Sequence, residues 1–344
     1  MRLTWYKPKV SRIKKAPVSV IICAKNEKEN LRKNLPFILD QDYPDFEVVV
    51  VNDCSTDGTE ELLESLQSRY PVLRFTTIKE DSKFKHGKKL ALTIGIKSAR
   101  NEIVLLTDAD CRPSGRDWIR SMQSHFTSET LVVLGYGGYE KRKGILNMLI
   151  RFETVYIGIQ YLSLAQLGLP YMGTGRNLAY RRSLFFKNKG FANHMHIMSG
   201  DDDLFVNQVA RKGNTRIEMR PGSLTWSPPK TTWRAWFYQK KRHLSTGPEY
   251  RTISKFILAL ETGTRILVYA GFIYLLIKNI WFWIILAGFM LRLILFMVLF
   301  EVVGSRLNEK YLLLPSPLLD VTVPLINIFI HFTNFVAAKR SRWK

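Results

Sequence analysis

The stretch VSVIICAKNEKENLRKNLPFILDQDYPDFEVVVVNDCSTDGT, residues 18–59, contains two apolar runs that flank an amphipathic segment. The runs VSVIICA (18–24) and FEVVVVN (46–52) are almost continuously aliphatic, which is typical of strands buried on both faces of a sheet. Between them, the apolar positions of Lys28–Leu39 recur at helical spacing. This order of strand, helix and strand favours a parallel sheet with crossover helices.

The same alternation continues to about Pro221 and predicts an α/β fold. We expect a doubly wound, mostly parallel sheet over residues 17–230, preceded by a basic segment at 1–16. In such sheets ligands bind beyond the C-terminal ends of the strands, where the polar motifs of this chain lie. The further predicted strands are 73–78, 102–108, 131–139, 177–182 and 215–221, and the further predicted helices are 59–67, 88–99 and 145–165.

The charge of the chain limits its partners. Its 344 residues include 51 Lys and Arg against 29 Asp and Glu, a formal charge of +22. This excess favours nucleic acid, an anionic membrane surface or a phosphorylated substrate. No base-reading motif is present, so we expect a lipid bilayer as partner and no nucleic acid. Cys23, Cys54 and Cys111 are far apart, which fits a reducing cytosolic compartment and no disulfide framework or zinc site.

Residues 256–344 are too apolar for a soluble domain and predict a transmembrane region of two or three spans. The runs at 266–277 and 280–300 are the first two, with a tight hairpin at residues 278–279 between them. The run at 312–336 contains Pro315, Pro317, Asp320 and Pro324, so it is either a third span or a broken, partly interfacial segment. Positively charged residues favour the cytoplasmic side, which predicts a multi-pass protein of the plasma (inner) membrane with its α/β domain in the cytoplasm.

Charged and aromatic residues occur within and just before these runs. Arg292, with Glu261 and Arg265, is costly in lipid and is expected to face protein or water. Residues 231–255 begin with an amphipathic helix that carries aromatic and basic side chains. We expect this helix to lie in the membrane interface, the alternative being that its aromatic residues pack on their own domain.

Carboxylates follow the predicted strands. Asp108 and Asp110, in LLTDADC, offer hard oxygen ligands suited to Mg²⁺ or Mn²⁺, although an isolated Asp-x-Asp is more often a surface turn. Asp53 ends the strand 46–52 and is well placed to face a ligand. Asn26 and Glu27 follow the first strand, where ligand contact and helix capping are equally good explanations.

Two further motifs precede predicted helices. His86, Lys88 and Lys89 lie before a helix, where lysines are unfavourable for the dipole unless a bound diphosphate offsets the cost. The segment SGDDDLF contains three consecutive carboxylates, Asp201–Asp203, which either cap a helix or include a group that accepts a proton. Mutual repulsion and partial burial are expected to raise the pKa of one of them.

Taken together, these motifs form an ordered set. The segments VSVIICAKNEKENL, VVVVNDCSTDGT, HGKKLALTIGI, LLTDADC, GTGRNLAYRR, SGDDDLF and QKKRH resemble those of family-2 glycosyltransferases of the GT-A fold over roughly residues 17–245. The resemblance is to the membrane-bound branch that includes cellulose, hyaluronan and poly-N-acetylglucosamine synthases and ceramide glucosyltransferase. It implies an inverting, metal-dependent transfer of a sugar from a nucleotide sugar, UDP-linked in this branch, to a membrane-associated lipid or glycan acceptor.

The resemblance also implies roles for single residues. Asp202 would be the catalytic base with Asp201 as its neighbour, and Asp108 and Asp110 would bind Mg²⁺ or Mn²⁺ at the diphosphate. The nucleotide and donor would contact Ala24, Asn26, Glu27, Asp53, Lys88 and Asp108; the acceptor and pyrophosphate would contact Gly173, Gly175, Asn177, Gln239, Arg242 and His243.

Two departures from the family pattern affect the expected activity. Asn52 stands where the family usually has a first Asp, and His243 replaces the Trp that stacks on the acceptor sugar in processive synthases. The second change argues against processive polymerisation, which stays an alternative to single transfer. A sugar nucleotidyltransferase is a more distant alternative, because it would share the sheet and the metal motif without needing the Asp201–Asp202 pair or a membrane region.

Overall fold

A computed structural model describes residues 2–7, 15–79, 87–197 and 199–341. The chain forms two compact units. The sheet unit consists of Lys7–Glu140 and Gln160–Pro228, and the helical unit consists of Met1–Tyr6, Lys141–Ile159 and Pro229–Lys344. Residues 141–159, which lie inside the α/β region expected at 17–230, belong to the helical unit.

A mixed, mostly parallel sheet of seven strands forms the centre of the sheet unit, as predicted. Its strand order is β3-β2-β1-β4-β8-β6-β9, and β8 is antiparallel to both of its neighbours. The strands are β1 (Val18–Ala24), β2 (Phe46–Asp53), β3 (Leu73–Ile78), β4 (Ile103–Asp108), β5 (Arg112–Pro113), β6 (Val132–Leu134), β7 (Gly137–Tyr139), β8 (Leu178–Arg181), β9 (Thr215–Ile217) and β10 (Thr225–Ser227). The α-helices are α1 (Lys28–Leu39), α2 (Thr59–Gln67), α3 (Lys88–Ser98), α4 (Trp118–Gln123), α5 (Ile145–Gln166), α6 (Arg182–Lys187) and α7 (Asp203–Val209).

The buried core explains why the strands and helices could be predicted from their apolar patterns. Val20 and Ile22 of β1 and Val48 and Val50 of β2 are fully buried, and α1 packs on them through Leu31, Leu35 and Ile38. Each such aliphatic side chain contributes about 1.5–3 kcal/mol on burial. The central strands are therefore rigid, and the loops at their C-terminal ends have fixed starting points.

The predicted strand 131–139 is in fact two strands in different sheets. Residues of β6 join the large sheet, whereas β7 joins a small sheet of order β5-β10-β7. Gly135 lies at the break, where a Cβ atom would be 2.4 Å from the Asn177 side chain. The predicted strand 215–221 likewise ends early, at Ile217, and a 3-10 turn begins at Pro221.

The helical unit contains α8 (Trp233–Leu244), α9 (Thr252–Ile277), α10 (Phe282–Arg306) and α11 (Ser316–Ser341). The last three include segments long and apolar enough to cross a membrane, by length and composition. Residues 278–281 form the short connection predicted between the first two. The third segment is not broken: α11 is continuous, with Pro317 in its first turn, where no intrahelical N–H bond is lost, and Pro324 inside it.

Charged residues of the candidate spans contact one another. Arg265 Nη1 donates to Asp320 Oδ1 at 3.1 Å, and Arg292 Nη2 donates to Asp320 Oδ2 at 2.7 Å. The Tyr269 hydroxyl donates to Asp320 Oδ2 at 2.6 Å. These arginines therefore face protein, as their cost in lipid predicts.

Candidate active site

Three strand ends meet at one edge of the large sheet. Ala24 at the end of β1 pairs with Asn52 of β2, and Cys23 pairs with Asp108 at the end of β4. Asp53 is the last residue of β2. Because these strands are parallel, the polar residues that follow them converge on one side of the sheet.

The loops after β1 and β2 are tied together by Asn26. Its N–H donates to Ser55 Oγ at 2.8 Å, and its Oδ1 accepts from the Thr56 N–H at 2.8 Å. Asn26 and Cys54 both have a φ of 56°, in the left-handed region that asparagine tolerates better than most residues. Asn26 therefore fixes the shape of this edge, whatever it contributes to a ligand.

The remaining residues predicted to surround the nucleoside lie at the same edge. Asp53 is only 4% exposed, and the Ala24 methyl packs within the core cluster, so only the Ala24 backbone is offered to a ligand. Glu27 directly precedes α1 and accepts a hydrogen bond from Asn30 Nδ2 at 2.6 Å. Of this group, Glu27 and Asp53 present carboxylates.

Lys88 links two motifs that are far apart in the chain. Its Nζ lies 2.7 Å from Asp108 Oδ1 and 3.1 Å from Asp201 Oδ2. Desolvation lowers the pKa of Lys88, but the charges of Asp108, Asp201 and Asp202 outweigh it and raise the pKa well above its usual value. The ammonium is therefore firmly charged, and it brings the Asp-x-Asp motif next to the carboxylates that begin α7.

Asp202 is both a helix cap and a group with altered acidity. Its Oδ1 accepts from the Asp203 N–H at 2.8 Å, and its Oδ2 accepts from the Gly175 N–H at 2.6 Å. Burial, with the negative charges of Asp201 and Asp203, raises the pKa of Asp202 to about 7. Gly200 permits the turn before it, since its φ is 93° and a Cβ there would lie 2.4 Å from Leu204. Capping and proton acceptance are thus compatible at one residue.

Asp108, Asp110 and Cys111 form a possible metal-binding group. Their ligand atoms lie within 4.8 Å of one another. Burial and the charge of Asp108 raise the pKa of Asp110 to about 6, an arrangement that a divalent cation would relieve. Burial also raises the pKa of the Cys111 thiol, which disfavours the thiolate that zinc needs. The two carboxylates therefore fit Mg²⁺ or Mn²⁺.

The segment Gly173–Asn177 lines the site less than we expected. A Cβ on Gly173 would lie 3.1–3.2 Å from three core side chains, so this glycine packs inward. Asn177 is fully buried: its Nδ2 donates to the Tyr136 and Ser223 carbonyls, and its Oδ1 accepts from Trp118 Nε1 at 3.0 Å. Both residues support the interior, and only Gly175 contacts a predicted catalytic group.

Arg176 lies between these residues, and the motifs predicted no specific role for its side chain. Its positive charge lowers the pKa of the nearby Asp110. The signal in the sequence was a basic residue within a glycine-rich turn, but surface arginines are too common for that signal to have been decisive.

Three of the predicted residues belong to the other unit. Gln239, Arg242 and His243 all belong to α8 in the helical unit. Within that unit Lys240, on the same helix, pairs with Glu153 at 2.5 Å, and Trp236 is buried while Trp233 and Tyr238 are exposed. The aromatic residues of α8 are thus divided between packing and exposure. His86 lies outside the described residues.

Comparisons with known proteins identify a family and a fold for this chain. The family model for glycosyl transferase family 2 matches residues 19–187, from β1 to the end of α6. The probable glycosyltransferase YdaM of Bacillus subtilis is 26% identical over 65% of this chain and 54% of its own length. The beta-monoglucosyldiacylglycerol synthase of Synechocystis is 31% identical over 40% of this chain and 27% of its own length. The chain therefore spans about half or less of the length of these relatives.

A solved structure shows the same fold. The mannosyltransferase PcManGT from Pyrobaculum calidifontis, in complex with GDP-Man and Mn²⁺, superposes with a TM-score of 0.56 at 24% identity, covering 72% of this chain and 68% of that one. The sheet unit is therefore GT-A-like. Asp108 and Asp110 fall inside the matched residues, and Asp201–Asp203 follow them. The chain carries a glycosyl transferase family 2 domain.

Proposed function

We propose that the protein is an inverting, metal-dependent glycosyltransferase that uses a nucleotide sugar, UDP-linked, and a membrane-associated lipid or glycan acceptor. The observation that carries this proposal is the Lys88 bridge, which joins Asp108 of the Asp-x-Asp motif to Asp201 beside Asp202. A site that breaks the bond between a sugar and a diphosphate needs both a cation-binding group and a base.

The chain's own residues would act as follows. An acceptor hydroxyl gives its proton to Asp202 while its oxygen forms a bond to the anomeric carbon, and the bond from that carbon to the diphosphate breaks. Asp202 can accept the proton at neutral pH because its pKa is about 7, whereas an ordinary aspartate is a much weaker base. The Gly175 N–H holds Asp202 Oδ2 in place during this transfer. One displacement at the anomeric carbon inverts its configuration.

Asp108 and Asp110 would hold the divalent cation. When bound, Mg²⁺ or Mn²⁺ supplies positive charge that stabilises the diphosphate as a leaving group. Lys88 adds a fixed positive charge between this group and the base, which limits the repulsion among the carboxylates.

The membrane acceptor is supported by the helical unit and by the relatives. Three segments of α9, α10 and α11 could cross a membrane, and one relative is named for a glycolipid product. We propose a multi-pass protein of the inner membrane, with the sheet unit on the cytoplasmic side where nucleotide sugars are made. His243 in place of an aromatic residue favours single transfer over processive synthesis.

A panel assay tests the proposal. The purified chain in detergent is mixed with UDP- and GDP-sugars and Mg²⁺ or Mn²⁺, and release of nucleoside diphosphate is measured. We expect one donor class to react, and Asp110→Asn to lower the rate roughly a hundredfold or more through loss of the cation. Asp42→Asn, in the exposed pair with Arg120, is the matched control and should retain activity.

Three outcomes would contradict parts of the proposal. Release of pyrophosphate instead of nucleoside diphosphate would indicate a nucleotidyltransferase. An unchanged rate in excess chelator would exclude the cation. Initial product that keeps the donor's anomeric configuration, followed by NMR, would exclude a single displacement.

A further inference from the structure

The guanidinium of Arg176 is held through its Nη1 nitrogen. Its Nη1 donates to the Gly138 carbonyl at 3.0 Å and to Ser227 Oγ at 3.1 Å. Among the residues that the structure describes, no acceptor contacts its Nε or Nη2. These two nitrogens form the edge that binds a phosphate or a carboxylate through two parallel hydrogen bonds.

Neighbouring residues restrain the position of the Arg176 side chain. Its guanidinium lies over the Tyr139 ring, 4.2 Å from the ring centroid. Its carbonyl accepts from the hydroxyls of Thr107 and Thr225, each at 3.0 Å. Gly137 leaves space beside it, since a Cβ there would be 2.9 Å from Arg176 Cβ and 3.5 Å from Nε. A guanidinium restrained in this way loses little entropy when it binds an anion.

The charge of Arg176 is not matched by an ion pair. Within the described parts of the chain no carboxylate lies within 4.0 Å of it, whereas Lys88 pairs with two. A partly buried cation without a partner is costly. An anionic ligand that binds beside Asp108 and Asp110 would remove that cost, and the hydrogen bond from Thr107 to the Arg176 carbonyl places this segment against the end of β4, next to Asp108.

The geometry points to Arg176 as a residue that binds the donor's diphosphate through its free Nε–Nη2 edge, from the side of the small sheet. This assignment rests on the proposed function and adds a second cationic group to the leaving-group site. The donor is favoured over the acceptor as the source of the phosphate because Arg176 is near the metal motif. Its neighbour Gly175 binds the base, so one short segment would position both the base and the leaving group.

Nucleotide binding by the full chain in detergent tests this inference. Calorimetry with Mn²⁺ compares UDP with UMP, and GDP with GMP, for the wild type, Arg176→Gln and Arg176→Lys. We expect Arg176→Gln to weaken diphosphate binding roughly 10- to 100-fold, as for loss of charged hydrogen bonds, and to leave monophosphate binding within about threefold. Arg176→Lys keeps the positive charge but loses the pair of parallel N–H donors, so its diphosphate affinity should lie between those of the wild type and Arg176→Gln.

Arg181→Gln is the matched control. Arg181 lies on β8, five residues along the chain, and its Nε and Nη2 donate to the carbonyls of Thr130 and Thr127. Its loss should lower the unfolding temperature without changing the ratio of diphosphate to monophosphate affinity. An unchanged ratio in folded Arg176→Gln would overturn the inference, as would a higher acceptor KM as the sole effect. A wild type that binds no nucleotide would instead refute the proposed function.

Discussion

The helical unit and the sheet unit each contain a cluster of charged side chains, and the clusters differ in how fully the charges are paired. In the helical unit Asp320 is 1% exposed and accepts hydrogen bonds from Arg265, Arg292 and Tyr269. In the sheet unit Lys88 pairs with two carboxylates. Among the described residues, however, Asp110 forms no ion pair and Asp202 accepts only backbone N–H groups. Complete pairing is what folding alone requires of buried charges. The unpaired carboxylates are therefore the better evidence for a ligand.

The comparison predicts opposite consequences for the two clusters. Removing a charge from the helical unit should cost stability, because the partners stay buried. Removing a carboxylate from the sheet unit should lower activity with little loss of stability, because few opposite charges pair with that carboxylate in the folded protein.

The largest expected effect is on catalysis. Asp202→Asn removes the proton acceptor but retains a group that can cap α7, so we expect the transfer rate to fall roughly 10²- to 10⁴-fold with nucleotide binding retained. Steady-state rates and calorimetry measure the two quantities. Asp203→Asn is the matched control, since it makes the same change at the next residue of the chain, where Asp203 Oδ1 accepts from the Leu204 N–H. Equal losses in both variants would mean that Asp202 acts only as a cap.

The second effect is on stability. Asp320→Ala leaves Arg265 and Arg292 without their shared carboxylate, so the free energy of unfolding should fall by about 3–5 kcal/mol. Thermal unfolding in detergent measures the loss. Asp42→Ala, which breaks an exposed pair with Arg120, should change stability by no more than about 1 kcal/mol. If Asp320→Ala unfolds like the wild type but loses activity, the helical cluster is a functional site and the comparison fails.

The sequence predicted the fold well where local pattern and burial coincide. The bounds of β1, β3, α1 and α2 agree with the predicted ranges. β1 is buried along nearly its whole length, and a strand buried on both faces leaves a long aliphatic run in the sequence. The small sheet was not predicted, since its strands have two or three residues each and no periodicity can be detected at that length.

The site was predictable by residue type but not by orientation. Asp108 and Asp202 were identifiable, and Lys88 joins their two motifs. The inward orientation of the Asn177 amide could not be predicted. It depends on the carbonyls of Tyr136 and Ser223, which come from distant segments of the chain. The role of Arg176 could not be predicted for the same reason. Its Nε–Nη2 edge is recognisable as free only in the structure, where Gly138 and Ser227 accept from Nη1.

The smallest expected effect is the pH dependence, and it bears most directly on the unpaired carboxylates. With a pKa of about 7, Asp202 is protonated below that value in the folded protein, so the rate should rise about tenfold per pH unit up to 7 and then level off. The raised pKa also means that the folded state keeps a proton that the unfolded chain releases above about pH 4. The contribution of this group to stability is therefore full below pH 4 and is lost as the pH rises through 7.

Asp201→Asn separates this explanation from a pH effect on the metal motif. It removes the neighbouring negative charge that helps raise the pKa of Asp202, so the midpoint of the rate profile should move to lower pH. Rates measured from pH 5 to 9 at saturating donor and metal give both midpoints. A titration of Asp110 would instead leave the midpoint of Asp201→Asn unchanged and would make it depend on the metal concentration, because a proton and a cation compete for the same carboxylate. That result would mean that the pH dependence of the rate arises at the cation site and not at the base. The unpaired charge of Asp202 would then have no effect on catalysis.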